Sequence, residues 1–265
     1  MTTSSQSELP ESAGSLNRAA ILLTTIARGS RKGSSLTELV ARSGLPRSTI
    51  YRVLDALMAL GWVERDVQTA RYNLGEDLAA LGHSAIGRHP IERVAATTLS
   101  QLAENLNQLV YLGIRSGLDM VCIGRYESQS QIQIGKGYVG LRGPFGMSLS
   151  CMAMFAHLPR AEVEQIIKAN LSRYHRIEGF DEQGFHKTVT EALKNGYGTY
   201  DNIILDRSTS GLAVAILDPG GYPVAAIATT FITGWLDEDE RQHCLQQLRL
   251  AASHIAGELF LGENA

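Results

Sequence analysis

The sequence is short of the residues on which several protein classes depend. Its three cysteines, Cys122, Cys151 and Cys244, stand far apart, with no CxxC and no Cys/His pairing at metal spacing. That excludes a disulfide framework and a zinc site and leaves three reduced thiols. No stretch approaches the roughly 18 consecutive apolar residues of a membrane span. The opening MTTSSQSELPESAGS has neither the basic region nor the apolar core of a secretory signal, so the chain is expected in the cytoplasm and away from membranes. The seven histidines are scattered, His175 and His186 apart from one another and His243 and His254 within one polar stretch. They gather no carboxylates and read as surface residues, so neither a catalytic residue nor a metal ligand is expected.

What is present suits a soluble globular protein of two domains. A chain of 265 residues, 44% hydrophobic and 19% charged, exceeds one average core of about 150 residues and has the apolar material to build both. The net charge of -3 conceals an asymmetry: residues 1–75 carry nine Lys/Arg against six Asp/Glu, and the other 190 residues carry 15 against 21. A basic N-terminal part on an acidic chain can approach a polyphosphate while the rest keeps the protein soluble.

Patterning in the basic part is more specific. Ser15 is placed to cap a helix through LNRAAILLTTIAR, with Leu16, Ala19 or Ala20, Leu23 and Ile26 on one face and Gly29 as its stop. Residues 1–14 before it are expected to be a disordered tail. Ser35 stands three residues before Glu38, a capping box for the short helix LTELVARS. Gly44 allows a left-handed turn and Pro46 opens a third helix that runs to about Leu60, so a helix-turn-helix occupies about 36–55. In the third helix Ile50, Val53, Leu54 and Leu57 recur at helical spacing and must pack on the other two. Ser48, Tyr51, Arg52 and Asp55 repeat that spacing on the opposite side, with Arg47 and Thr49 beside them at the helix start. Such a face fits the DNA major groove, where arginine forks onto guanine and hydroxyls reach bases or phosphates; the competing reading is an ordinary solvated face. Next, WVERDVQTARYNL offers two short strand-like runs and a polar turn, a wing whose Arg65 and Arg71 suit the DNA backbone or minor groove.

GEDLAALGHSAIGR is helix-like and leads to Pro90, which makes residues 76–89 a linker helix. Beyond it an amphipathic run, IERVAATTLSQLAENLN, precedes the alternating LVYLGIRSG and DMVCIGRYES and then SQIQI. A helix-rich stretch from Ser148 to Gly196 interrupts the strands, a hairpin turns around Pro219, Gly220 and Gly221, and a final helix opens with acids. That order predicts an α+β sheet with helices over it.

SLNRAAILLTTIA, SLTELVARSGLPRSTIYRVLDALMALGWVER and RYNLGEDLAALG together resemble the N-terminal pattern of the IclR-type bacterial transcription regulators. The likeness continues more loosely through RGPFGMSLSCMAMFAHLP and NGYGTYDNIILDRSTSGLAVAILDPGGYPVAAIATT. It implies a winged helix-turn-helix DNA-binding domain over 15–75, the linker helix over 76–89, and a GAF-like effector-binding and oligomerisation domain over 90–265. It further implies a homodimer or dimer of dimers that binds double-stranded operator DNA and answers to a small organic acid, with no cofactor besides that effector.

The ligand site is expected where a helix begins near Ser148, because unpartnered N–H groups and the helix dipole can hold a carboxylate. Gly146 permits close backbone approach, Ser148 and Ser150 add hydroxyls, and Met147, Leu149 and Met154 form an apolar wall. By the resemblance, Cys151 belongs to the same segment and Tyr126, Tyr200, Asp201, Asn202 and Gly211 to the far side, while Arg207 could serve as a second anion partner. Cys151 and Met152 stand where the family has glycine then lysine, and TYDNIILDR replaces its paired acids, which leaves the effector's identity open. Competing readings take Ser148 as a plain helix cap, Cys151 as a redox sensor or a packing residue, and GMSLS as a nucleophile elbow lacking its last glycine. The functional classes left are an effector-switched regulator that is no enzyme, a metabolite-binding enzyme with an appended DNA-binding module, and a ligand-independent regulator whose second domain serves assembly or redox sensing.

Overall fold

The computed structural model describes residues 11–27, 29, 32–86, 90–129, 135, 137–201 and 208–261, and the chain divides into two units, residues 1–88 and 89–265. In the first unit α1 (Glu11–Ala27), α2 (Leu36–Ser43) and α3 (Arg47–Ala59) are followed by an antiparallel pair, β1 (Val63–Arg65) and β2 (Tyr72–Leu74), and by α4 (Glu76–Ile86). α1 thus begins inside the segment expected to be a tail, and Ser15 lies within the helix rather than capping it. Leu16, expected inside, is 74% exposed, and the buried residues are Leu22, Thr25 and Ile26. Among the described residues the packed cluster reaches α1 only from Ala19 onward.

α2 and α3 follow their local signals closely. Ser35 Oγ accepts the Glu38 backbone N–H at 3.3 Å and Glu38 Oε2 accepts that of Ser35 at 2.7 Å, a complete capping box. Gly44 ends α2 at φ 67° and returns its N–H to the Val40 carbonyl. Ile50, Val53, Leu54 and Leu57 are the buried residues of α3, each worth about 1.5–3 kcal/mol on burial. Leu54 is fully buried, and Leu54→Ala would cost about 2–5 kcal/mol through the cavity it leaves.

The second unit runs α5 (Pro90–Leu106), β3 (Leu109–Ser116), β4 (Asp119–Tyr126), β5 (Arg142–Pro144), α6 (Leu149–Phe155), α7 (Arg160–Tyr174), α8 (Glu182–Asn195), β6 (Gly198–Asp201), β7 (Thr209–Leu217), β8 (Pro223–Ile232) and α9 (Glu238–Leu261). The six strands form one antiparallel sheet in the order β5-β4-β3-β8-β7-β6. Alternation along the strands divides its residues between two cores. Val110, Leu112, Leu212, Val214, Ile216 and Ile227 pack with Leu99 of α5 and with Leu248 and Ile255 of α9. Ala213, Ala226 and Ala228 face the other way, into the core of α6, α7 and α8. There the helix lies almost on the backbone: a Cβ on Gly198 would sit 2.6 Å from the Leu149 carbonyl oxygen, and one on Gly211 2.6 Å from Leu149 Cδ2. The expected hairpin joins β7 to β8, with Asp218 Oδ1 accepting the N–H groups of Gly220 and Tyr222 at 2.9 and 2.8 Å. SQIQI, residues 130–134, lies outside the described residues.

One irregularity decides which side chains reach which core. Gly113 pairs with Cys122 and Leu112 with Gly124, so Ile123 is an extra residue in β4. A bulge of this kind reverses the alternation of every residue beyond it. Arg125 consequently stands opposite Tyr111, and Tyr126 opposite Val110.

Candidate nucleic-acid interface and ligand site

The outer face of α3 is built by the residues the core does not use. Arg47, Ser48, Tyr51, Arg52 and Asp55 are exposed and Thr49 is half-buried. The Arg47 guanidinium lies 5.9 Å from the Tyr51 ring centroid, a contact that pre-orients both. Below it the wing turn is fixed by Asp66, whose Oδ1 accepts the Gln68 and Thr69 N–H groups at 2.9 and 2.7 Å. Those bonds, Thr69's foremost, hold the Asp66 carboxyl below its ordinary range. Arg65 is exposed, with its guanidinium 5.8 Å from the Tyr72 ring.

Arg71, expected to reach DNA, is held by the fold instead. Its Nε donates to the Gly33 carbonyl at 3.0 Å and its Nη2 to Glu38 Oε2 at 2.7 Å. The Glu38 carboxyl is lowered first by the Ser35 backbone N–H and next by Arg71. Five of the seven residues expected at the interface, Arg47, Ser48, Tyr51, Arg52 and Arg65, are therefore exposed, Thr49 is partly so, and Arg71 ties the wing to the start of α2.

In the second unit the turn ahead of α6 is firmly built. Gly146 has φ 118°, and a Cβ there would collide with the Tyr174 hydroxyl. That hydroxyl donates to the Phe145 carbonyl, and the buried Asn170 Nδ2 donates to the carbonyls of Leu118 and Phe145 at 3.0 and 3.3 Å. Ser148 holds the N-cap position without a side-chain cap bond; its Oγ lies 3.1 Å from Cys151 Sγ. Met147 and all seven residues of α6 are buried. Burial pushes the Cys151 thiol up, partly opposed by Ser148, the reverse of what a reactive thiolate at a helix start requires.

Leu149, Ser150, Tyr200 and Gly211 share the α6 side of the sheet: Leu149 and Tyr200 belong to its core, Ser150 lies against Gly113, and Leu149 lies against Gly211. Asp201 pairs with Ser210 in the β6–β7 ladder, and Asn202 and Arg207 lie outside the described residues. Tyr126 does not join this group. It packs against the core of α5 and α9, where burial, with the Glu92 carboxylate adding to it, pushes its hydroxyl up to about 12. The cause is the bulge at Ile123, which turns Tyr126 away and brings Arg125 to the α6 side. Tyr111, which pairs with Arg125, is on that side too, and neither residue was among those expected at the site. Among the described residues no group of three His, Cys, Asp or Glu side chains is placed to hold a metal, and no helix is long and apolar enough to cross a membrane.

A winged helix-turn-helix with a polar outer face on its third helix, followed in the chain by an α/β domain on an antiparallel sheet, defines the class as DNA-binding transcription regulators of two domains. The chain belongs to the IclR family: residues 15–67 match the IclR helix-turn-helix domain and residues 83–257 the bacterial transcriptional regulator IclR C-terminal domain. Among its relatives, the HTH-type transcriptional regulator KipR of Bacillus subtilis (strain 168) is 23% identical over 226 residues, spanning 85% of this chain and 89% of that protein. The IclR transcriptional regulator from Alicyclobacillus acidocaldarius has a similar structure, with a TM-score of 0.70 at 22% identity over 92% of this chain and 98% of the other. An IclR homolog complexed with 4-hydroxybenzoate, from Microbacterium hydrocarbonoxydans, gives 0.69 at 20% identity over 92% and 98%.

Proposed function

We propose that this chain binds a pseudo-palindromic operator as a homodimer or a dimer of dimers and is switched by a small organic acid held in its second unit. The observation that carries the DNA-reading half is the exposed row of Arg47, Ser48, Tyr51 and Arg52 on α3, opposite a fully packed apolar stripe. One such helix spans only a few base pairs, and a two-fold pair of them doubles the contact and predicts a symmetric site. Selection of duplexes from a random pool by the full chain identifies the site. On that site Arg52→Ala is expected to cost about 1–3 kcal/mol at fixed salt and to relax the sequence preference. Binding indistinguishable from wild type would make the row an ordinary solvated face.

Support for the acid is chemical and comparative: the backbone turn and hydroxyls at Gly146–Ser150, and the fold shared with a protein whose structure holds 4-hydroxybenzoate. A switch also requires reciprocity, so operator DNA must change acid affinity by the factor by which acid changes operator affinity, typically about 5- to 150-fold. Titrating the acid with and without operator measures that factor. Equal affinities in the two titrations remove the switch.

A further inference from the structure

We propose that the anionic group of the ligand is seated by Tyr111 and Arg125, paired residues of β3 and β4 on the sheet face that α6 covers. This rests on the reading above that the second unit takes an organic acid, and it moves the anion's partners from the helix start to the sheet. The two residues stand directly opposite one another, because the bulge at Ile123 brings Arg125 rather than Tyr126 to this face. The Tyr111 hydroxyl and Arg125 Nε are each shut off from solvent without a hydrogen-bond partner of normal geometry. Buried polar groups are rarely left in that condition, since each costs about 1–3 kcal/mol. Two of them on paired residues define a place for an acceptor that both can share.

The donor set selects the ligand. Arg125 Nη1 is already paired with the Glu127 carboxylate, and Nε is a donor left buried without a partner. Nε can only donate and the phenol has a proton to donate, so an incoming group must bring oxygen acceptors, and a carboxylate brings two on one carbon. Burial raises the Tyr111 hydroxyl, with Arg125 and the Gly137 backbone nearby opposing the rise, and the Cys122 thiol is pushed up to about 11 by burial. Both stay neutral near pH 7, so neither repels the anion. Gly135 lies against the Tyr111 hydroxyl and Gly137 against its ring, where a Cβ on Gly137 would stand 2.6 Å from Tyr111 Cε1.

The test measures calorimetric binding by the full chain of four acids (acetate, pyruvate, benzoate and 4-hydroxybenzoate) and of their neutral amides. Arg125→Gln is expected to weaken whichever acids bind by about tenfold or more, as loss of a charge-assisted bond does, while amide binding stays as in wild type. Tyr111→Phe should weaken the acids several-fold, and Arg125→Lys should restore part of the Arg125→Gln loss. Wild-type acid affinity in Arg125→Gln, or a loss shared equally by acids and amides, overturns this seat and leaves the organic-acid reading standing. A wild-type chain that binds no acid of the panel overturns both. Should Arg125→Gln fail to fold, Tyr111→Phe and Arg125→Lys decide, since their losses must again be confined to the acids.

Discussion

Arg71 Nη2 lies 2.7 Å from Glu38 Oε2, the same oxygen that accepts the Ser35 backbone N–H at 2.7 Å. One carboxylate thus closes the capping box of α2 and fastens the wing to it. Were Arg71 a phosphate contact, its loss would lower the slope of log affinity against log salt by about one. For Arg71→Ala that slope is expected to stay at the wild-type value while the melting temperature falls. Fluorescence anisotropy over a salt series checks this, and a slope lowered by one would return Arg71 to the DNA.

Gly146→Ala is expected to destabilise the second unit by about 1–3 kcal/mol for its left-handed backbone alone, and by more for the collision with Tyr174. Tyr174→Phe removes one of two donors to the Phe145 carbonyl and should cost about 1 kcal/mol. Urea unfolding of the full-length variants ranks them. The reverse order would mean that the turn ahead of α6 is held by something other than this tyrosine.

Acid stability should depend on Asp119. Burial alone would raise its carboxyl, but the bonds from Arg142 Nε and Arg173 Nη2, both 2.6 Å, overcome that and leave it lowered. A carboxyl lowered on folding stabilises above the ordinary aspartate value of about 4, and that stability is lost as pH falls through the folded value. Thermal melts of Asp119→Asn are thus expected to lie below wild type at neutral pH and to converge with it below about pH 4. A gap that stays constant with pH would assign the effect to packing.

The three thiols should be inert in the native chain. Burial pushes Cys122 to about 11 and Cys244 to about 12, and raises Cys151 as well. An ordinary thiol near 8.5 carries over 100-fold more thiolate near pH 7 than one at 11, roughly. Iodoacetamide followed by mass spectrometry should label the native protein far more slowly than the unfolded one. Rapid native labelling of Cys151 would revive a redox role for the domain.

Legibility of the sequence tracked how local the deciding interactions are. The capping box at Ser35 and Glu38, the turn at Gly44 and the stripe of α3 are all set within a few residues, and the structure repeats them. Leu16 failed because the part of an amphipathic helix that gets covered depends on how far its partners extend. In the candidate site the turn at Gly146 was legible from its glycine, whereas the face of Tyr126 was not. Tyr126 was placed by resemblance alone, and the extra residue at Ile123 sets which face it takes in this chain. Gly124 in the middle of β4 was the available trace, since a glycine inside a strand often marks a bulge.

The floor beneath α6 has a consequence for how the domain can change. Gly198, Gly211, Ala213, Ala226 and Ala228 present almost no side chain to that helix, so none has volume to give up when a neighbour grows. Leu212, Val214, Ile216 and Ile227 on the reverse of the same strands can exchange methyl groups with α5 and α9, one shrinking as another swells. Substitutions should therefore be interchangeable on one side of the sheet and individually forbidden on the other, and the two sides alternate residue by residue along a single strand.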